Sequence, residues 1–344
     1  ALNCNIPNFT KWDRKQYYYP DLPKGYQISQ FDLPMSENGY LAISSPDGEF
    51  EDKNVGIIRA HLEEDAGKSM HDEAQGLADT RIDLNRTGTP LLEIVSEPDM
   101  RSAEEARAYL QELRLLLTYL DVSDCNMQEG SLRVDANVNL HVHTETDEKI
   151  ATPIVEVKNM NSFRAVERAL HYEVKRQYEI WQETGNRIGD VPKQTRGWDD
   201  NAQLTRAQRE KEESSDYRYF PDPDLPKMEV ANYVPFSKDR LSEIMPKLPA
   251  QLRNDYRELG IKDEQIEIII SDRNRVDFFE ATLSATPKPD PILAANYLTS
   301  DVLGVVEGSG RTISEYSTDY FAELIVMLTE KRINSRTAKD LIPE

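Results

Sequence analysis

The densest chemistry in the chain lies in "HLEEDAGK", where His61, Glu63, Glu64 and Asp65 close an apolar stretch and enter a turn at Gly67. Oxygen donors of this kind suit Mg²⁺, which takes one or two carboxylates and completes its shell with water and substrate phosphate. A solvated acidic turn would read the same way, since exposed carboxylates need no partner. Glu93 is a sharper case. It interrupts "PLLEIV", where Leu91, Leu92, Ile94 and Val95 are expected to be buried. A carboxylate inside such a strand requires a cation, a metal or a hydrogen-bond donor.

Other motifs carry weaker chemistry. Gly67-Lys68-Ser69 invites a phosphate-loop reading, but the motif needs a further glycine at the position of Leu62, so that reading fails. "KNMNSF" joins a strand to a long helix. Backbone N–H groups and the helix dipole make such a junction an anion site, with Lys158, Asn159, Asn161 and Ser162 as its candidate groups. Simple capping by Asn161 or Ser162 explains it equally well. "DLNRTGTP" (83–90) is either a ligand loop or a well-bonded connection. In 11–27, Lys11, Arg14, Lys15 and Lys24 interleave with Trp12, Tyr17, Tyr18 and Tyr19, a mixture that suits an RNA end, where bases stack and phosphates pair. An aromatic core fringed by solvated charges is the plainer alternative. His141 and His143 share a face at strand spacing, but no third metal ligand accompanies them.

The elements that must position these groups follow from periodicity. "EGSLRVDANVNLHVH" (129–143) alternates apolar and polar residues from Leu132 to His143, the pattern of a half-buried strand. "YQISQFDLP", "GYLAIS", "VGIIRAHLE" and "TPIVEVKNM" also read as strands, and "TPLLEIVSEPD" is an apolar run closed by Pro98. A helix begins at Ser102, with Ser102 and Glu105 matching a capping box and Ala106, Tyr109, Leu110, Leu113, Leu117 and Leu120 forming its apolar stripe. A second helix runs from about Phe163 to Thr184 with Gly185 as its C-terminal cap, and Phe163, Val166, Leu170, Val174 and Trp181 form its stripe. Residues 186–216 read as a polar excursion or hairpin. Beyond about Pro235 only short helices broken by proline and glycine are expected.

At 344 residues the chain is too long for one ordinary core. The expectation is an α+β fold: a mixed or antiparallel-sheet domain over 1–232, then an all-α domain over 233–344. The net charge of −21 argues against a general nucleic-acid binder and leaves room for a local basic patch. Two cysteines, Cys4 and Cys125, make neither a disulfide framework nor a CxxC metal site, and a reducing, cytoplasmic setting is expected. No apolar run approaches the roughly 18–20 residues needed to span a bilayer.

Taken in order, "YYYPDLPKGYQISQFDLP", "HLEEDAGK", "DLNRTGTPLLEIVSEPD", "SDCNMQEGSLRVDANV", "EVKNMNSF" and "SSDYRYFPDPDLP" resemble the B subunits of the tRNA-dependent amidotransferases. The resemblance covers most of residues 1–230 and extends more loosely over 233–344. It implies an ATP-dependent carbon–nitrogen ligase working in protein biosynthesis, within a heterotrimer that also holds an amidase, the A subunit, and a small C subunit. Mg²⁺ and ATP would phosphorylate the side-chain carboxylate of misacylated Glu-tRNA(Gln) or Asp-tRNA(Asn), and channelled ammonia from glutamine would displace the phosphate. Carried over by position, Glu64 and Glu93 match metal-binding carboxylates, and Glu129 and Asp135 match acidic positions near them. Arg133 joins Glu129 and Asp135 on the face that would line the activation site. Lys158 and Asn159 match a segment near the reaction centre, and Tyr17, Tyr18, Tyr19 and Lys24 would lie near the tRNA acceptor end.

The chain departs from the family pattern. The family's opening Gly-Leu-Glu-Val-His strand and its tail domain are not found, Val134 stands where many relatives have Cys, and Gln128 where many have Glu. The chain therefore reads as a fragment expected to be inactive alone. The competing readings are a non-catalytic scaffold that docks tRNA or partner subunits, and an unrelated Mg²⁺-dependent phosphatase.

Overall fold

The computed structural model describes residues 1–71, 80–144, 148–208, 217–230 and 233–343. The architecture is α+β, with several small antiparallel or mixed sheets and packed helices. Two compact units separate, one formed by Ala1–Arg114 with Ser123–Met245 and the other by Leu115–Val122 with Pro246–Glu344.

The spine of the first unit is the strand Lys53–Glu64, paired antiparallel with Ser36–Ile43 on one side and Pro90–Ser96 on the other. A β-bulge between Ile57 and Arg59 shifts the register against Pro90–Ser96. An extra residue on one strand exchanges the faces of the side chains before and after it. Val55 and Ile57 enter the core ahead of the bulge and Ala60 after it. Arg59, His61 and Glu63 are thereby turned to the opposite face. This one irregularity sets up the site.

A small sheet of Arg218–Pro221, Asp13–Gln16 and Tyr26–Ser29 brings Lys15, Gln27 and Ser29 alongside that face. A four-stranded sheet orders Leu204–Ala207, Gln194–Asp199, Val155–Lys158 and Ala136–Val138. Its central pair, Val155–Lys158 with Gln194–Asp199, is parallel, and parallel neighbours require a crossover. The helix Phe163–Thr184 supplies it, capped by Ser162, whose Oγ accepts from the Ala165 N–H, and by Gly185 in the left-handed region at φ 68°. Gln194–Asp199 and Leu204–Ala207 form the hairpin anticipated within 186–216; residues 209–216 of that stretch lie outside the described residues.

Two sequence expectations are corrected here. The first is the long strand over 129–143. Exposure does alternate from Ser131 to Val138, yet only Ala136–Val138 and His141–His143 are strands, and they join different sheets. Alternation reports which side chains are dry; a ladder also needs a partner strand, and residues 129–135 have none among the described residues. The second is the stripe on the long helix. Val166 and Leu170 are buried, but Val174 is 47% exposed, and the helix buries Glu173 and Gln177 in its place. Glu173 is fully buried because Arg176 donates to it twice (Nε 2.9 Å, Nη2 2.7 Å), Gln177 Nε2 donates at 3.1 Å and the Thr205 hydroxyl donates as well. Burial pushes the Glu173 carboxyl up, but these donors outweigh it and hold it below the ordinary value.

The regular elements of the second unit are all helices among its described residues. Pro249 and Pro291 open helices at the first turn, where a missing N–H costs nothing. Its core packs Tyr256, Phe279, Ile266, Ile269, Ile270, Leu298 and Ile325, all nearly inaccessible. The end of the helix Ala103–Tyr119 belongs to this unit, and the Tyr119 hydroxyl donates to the Ile270 carbonyl at 2.7 Å. The start of that helix is capped as expected, by Ser102 accepting from the Glu105 N–H at 3.1 Å. The Glu105 carboxylate departs from the reciprocal pattern, accepting from Arg101 N–H and from Lys53.

Candidate active site

The bulge-shifted face gathers three potential ligands. His61 Nε2 lies 3.3 Å from Glu63 Oε1 and 3.5 Å from Glu93 Oε2, and the three donor atoms fall within 4.8 Å of one another. Strand register accounts for this. His61 and Glu63 are two apart on one strand, and Glu93 sits directly opposite His61 on the next. The expectation that Leu91, Leu92, Ile94 and Val95 are buried is corrected: all four are half-buried, and the Glu93 side chain between them is 46% exposed, open to a ligand. His61 is buried, and its Nδ1 has no hydrogen-bond partner among the described residues.

Glu63 is the anchor. Its Oε1 accepts from the Ser29 hydroxyl at 2.7 Å and its Oε2 from Gln27 Nε2 at 3.1 Å, while Lys15 Nζ stands 3.7 Å away. Burial pushes the Glu63 carboxyl up. The His61 hydrogen bond, the Lys15 charge and the Ser29 hydroxyl prevail and bring it down to about 2. A carboxylate so held remains ionised at any physiological pH. An imidazole with two carboxylates is a donor set for a divalent cation; the nitrogen is better accepted by Mn²⁺, Fe²⁺ or Zn²⁺ than by Mg²⁺, whose ordinary ligands are oxygen.

Glu64 points to the other face of its strand. Lys24 Nζ and the Ile28 N–H (2.8 Å) both donate to its Oε1. Asp65 is held by two guanidinium groups, Arg86 Nε at 2.8 Å and Arg133 Nη2 at 2.9 Å. The Thr89 carbonyl accepts from the Asp65 N–H and the Gly88 N–H donates to the Asp65 carbonyl, so 83–90 is a well-bonded connection closing the glycine turn. Glu129 is exposed in a turn and Asp135 pairs with Lys158 Nζ at 2.8 Å. Of the expected metal ligands, the structure thus brings Glu93 to the cluster and leaves Glu64, Glu129 and Asp135 outside it.

Lys158 is pulled down by burial, but Asp135 and Glu156 outweigh this and raise it. It stays protonated at the C-terminal end of Val155–Lys158, an inner strand of the four-stranded sheet. Asn159 adopts φ 65°, packs its amide close to Gly197 and turns the chain toward the helix. Asn161 is exposed, and Ser162 is the residue that caps.

Tyr17 donates to Gln27 Oε1 at 3.2 Å, and its ring lies edge-on to Tyr19 and Tyr217. It therefore buttresses the Glu63 network from behind. Tyr18 is 83% exposed, and with Tyr19, Pro20, Leu22, Lys24 and Gly25 it lines an open hollow. Lys24 stands 4.7 Å over the Tyr26 ring and Arg14 4.5 Å over the same ring. His141 and His143 are exposed on the edge pair with Lys149–Ala151, away from any cluster of three ligands among the described residues. A second convergence, Glu104, Glu167 and His171, is internally paired, with His171 3.0 Å from Glu104 and Arg107 on Glu167. No helix among the described residues is long and apolar enough to cross a membrane.

Sequence reasoning does not single out Glu63 and His61 as ligands. Their period-two relation is visible, but the pairing of His61 with Glu93 depends on a register across 31 intervening residues that no local pattern encodes.

Comparison with known proteins assigns a family. A family model described as the GatB/GatE catalytic domain matches residues 1–234. The chain is 56% identical over 353 residues to the B subunit of the aspartyl/glutamyl-tRNA(Asn/Gln) amidotransferase of Rhodopirellula baltica, covering 99% of this chain and 68% of the relative. It is 46% identical over 352 residues to the protein of that name from Acaryochloris marina, with 100% and 69% covered, and 44% identical to that of Prochlorococcus marinus over the same length.

Proposed function

The chain belongs to the GatB/GatE catalytic-domain family, and we propose that it carries the activation step of a tRNA-dependent amidotransferase as its B subunit. The reaction is phosphorylation by ATP of the side-chain carboxylate of Glu-tRNA(Gln) or Asp-tRNA(Asn), followed by displacement of phosphate by ammonia. The ammonia comes from glutamine hydrolysed by a partner amidase. The observation that carries the reading is the convergence of His61, Glu63 and Glu93 on one open strand face.

Phosphoryl transfer needs little covalent help from protein and much charge placed in line. A divalent cation, Mg²⁺ by expectation, would be held by His61, Glu63 and Glu93, and it supplies charge neutralisation for the transferring phosphoryl oxygens. This chain's own work is positioning. Ser29, Gln27 and Lys15 fix the Glu63 carboxylate in its ionised form. Lys158, protonated beside Asp135, offers a cation for an anionic substrate group. The exposed Tyr18 ring, the half-buried Tyr19 beside it and the Lys24 charge suit the unpaired acceptor end of tRNA, where bases stack on aromatics.

Two findings favour this reading over a scaffold that catalyses nothing. Glu63 is held ionised despite its burial, and Glu93 is left half-open beside it. The test is to incubate the heterotrimer of this chain and its A and C partners with Mg²⁺ and each misacylated tRNA, with and without ATP. Amide formation that requires ATP is expected. Amide formed equally without ATP, or none with it, would set the reading aside.

A further inference from the structure

Arg59 is anomalous among the arginines near the site. It follows the bulge, two residues before His61, so Arg59, His61 and Glu63 stand in one row on the face that meets Glu93. Its guanidinium makes no ion pair with any described residue, in a chain carrying 62 acidic side chains. The Nε–H is buried and has no acceptor among the described residues. By contrast, Arg14, Arg86 and Arg133 nearby each end on a carboxylate. The charge is not remote from the cluster: the Tyr219 phenol, stacked on Phe31, feels Lys15, Glu63, Arg59 and Glu93 together.

A buried N–H without an acceptor costs free energy that a bound oxygen recovers. Nε and Nη2 of a guanidinium form the two-pronged donor that matches two oxygens of a phosphoryl group. We infer that Arg59 binds phosphoryl oxygens of the nucleoside triphosphate at the His61–Glu63–Glu93 cluster. This deepens the phosphoryl-transfer reading and rests on it for the identity of the anion. Glu63 and Glu93 would otherwise repel a polyphosphate. Arg59 and Lys15 supply the opposing charge on the same face, so a triphosphate with its divalent cation meets both signs where it needs them. Arg59 is a binding residue in this role and takes no proton.

The experiment uses the heterotrimer and two variants, Arg59→Gln and Arg59→Lys. Binding of the Mg²⁺ complex of the imido analogue of ATP is measured by calorimetry, with glutamine hydrolysis and thermal unfolding as controls for folding. Arg59→Gln is expected to weaken binding by about ten- to a hundredfold, the worth of hydrogen bonds to a charged group. Arg59→Lys should fall between, since it keeps the charge and loses the fork. Wild-type affinity in both variants, or no binding by the wild-type complex, overturns the assignment. If Arg59→Gln fails to fold, Arg59→Lys decides, and unchanged affinity there overturns it alone. The two readings fail separately. A complex that binds the analogue through Arg59 but forms amide without ATP contradicts phosphoryl activation and leaves the Arg59 contact standing.

Discussion

His61 and Glu93 face each other across an antiparallel pair, Nε2 to Oε2 at 3.5 Å, because a bulge between Ile57 and Arg59 turns one strand's polar side chains toward the other. Cation binding is therefore expected to depend on His61, Glu63 and Glu93. Mn²⁺ titrated into the chain and followed by electron paramagnetic resonance should bind at least about tenfold more weakly in His61→Ala and Glu93→Ala. Glu129→Ala, altering a carboxylate outside the cluster, should leave the affinity unchanged. Equal losses in all three variants would move the metal elsewhere.

The Glu63 carboxyl, held at about 2 against an ordinary 4.5, ties stability to pH. A depressed carboxyl contributes stability that is present above the unfolded value and is lost as pH falls through the folded one. Acid unfolding in a chelating buffer should draw on this group between about pH 4.5 and pH 2. The wild-type chain should lose stability over that window more steeply than Glu63→Gln, which has nothing to protonate there. Parallel pH profiles for the two proteins would deny the linkage.

The buried Glu173 network gives a stability prediction outside the site. Glu173→Ala removes the carboxylate from Arg176 and leaves Arg196, 3.4 Å from it, without its acidic partner. Breaking a buried pair from one side costs about 3–5 kcal/mol. Urea unfolding followed through Trp198, which is buried in the same sheet, should shift accordingly. A shift under about 1 kcal/mol would mean that the freed guanidinium groups find water or new acceptors.

Much of this fold can be read from local pattern. The helix Phe163–Thr184 keeps the bounds its sequence predicts because its signals are local: a Ser cap, a long amphipathic run and Gly185 at positive φ. The strands Lys53–Glu64 and Pro90–Ser96 are visible as apolar runs. What local pattern misses depends on distant partners. Residues 129–135 alternate like a strand but have no described neighbour to pair with, so the strand is confined to Ala136–Val138. Val174 is apolar and on the expected stripe, yet Glu173 takes the buried place because Arg176, Gln177 and Thr205 converge on it. At the site, the acidic character of 61–65 and the odd carboxylate of Glu93 in an apolar run are legible. Whether Glu63 or Glu64 meets Glu93 is not, because a single bulge residue decides the face.

The proposed activation step is tested most directly by Glu93→Ala in the heterotrimer supplied with Mg²⁺, ATP, glutamine and misacylated tRNA. Glu93 lies beside His61 on the strand face assigned to activation, whereas in the proposed scheme glutamine would be hydrolysed on a separate amidase subunit. Glutamine hydrolysis should therefore persist while amidated tRNA falls to background. Full retention of tRNA amidation in that variant would contradict a metal-assisted activation centre on this strand face.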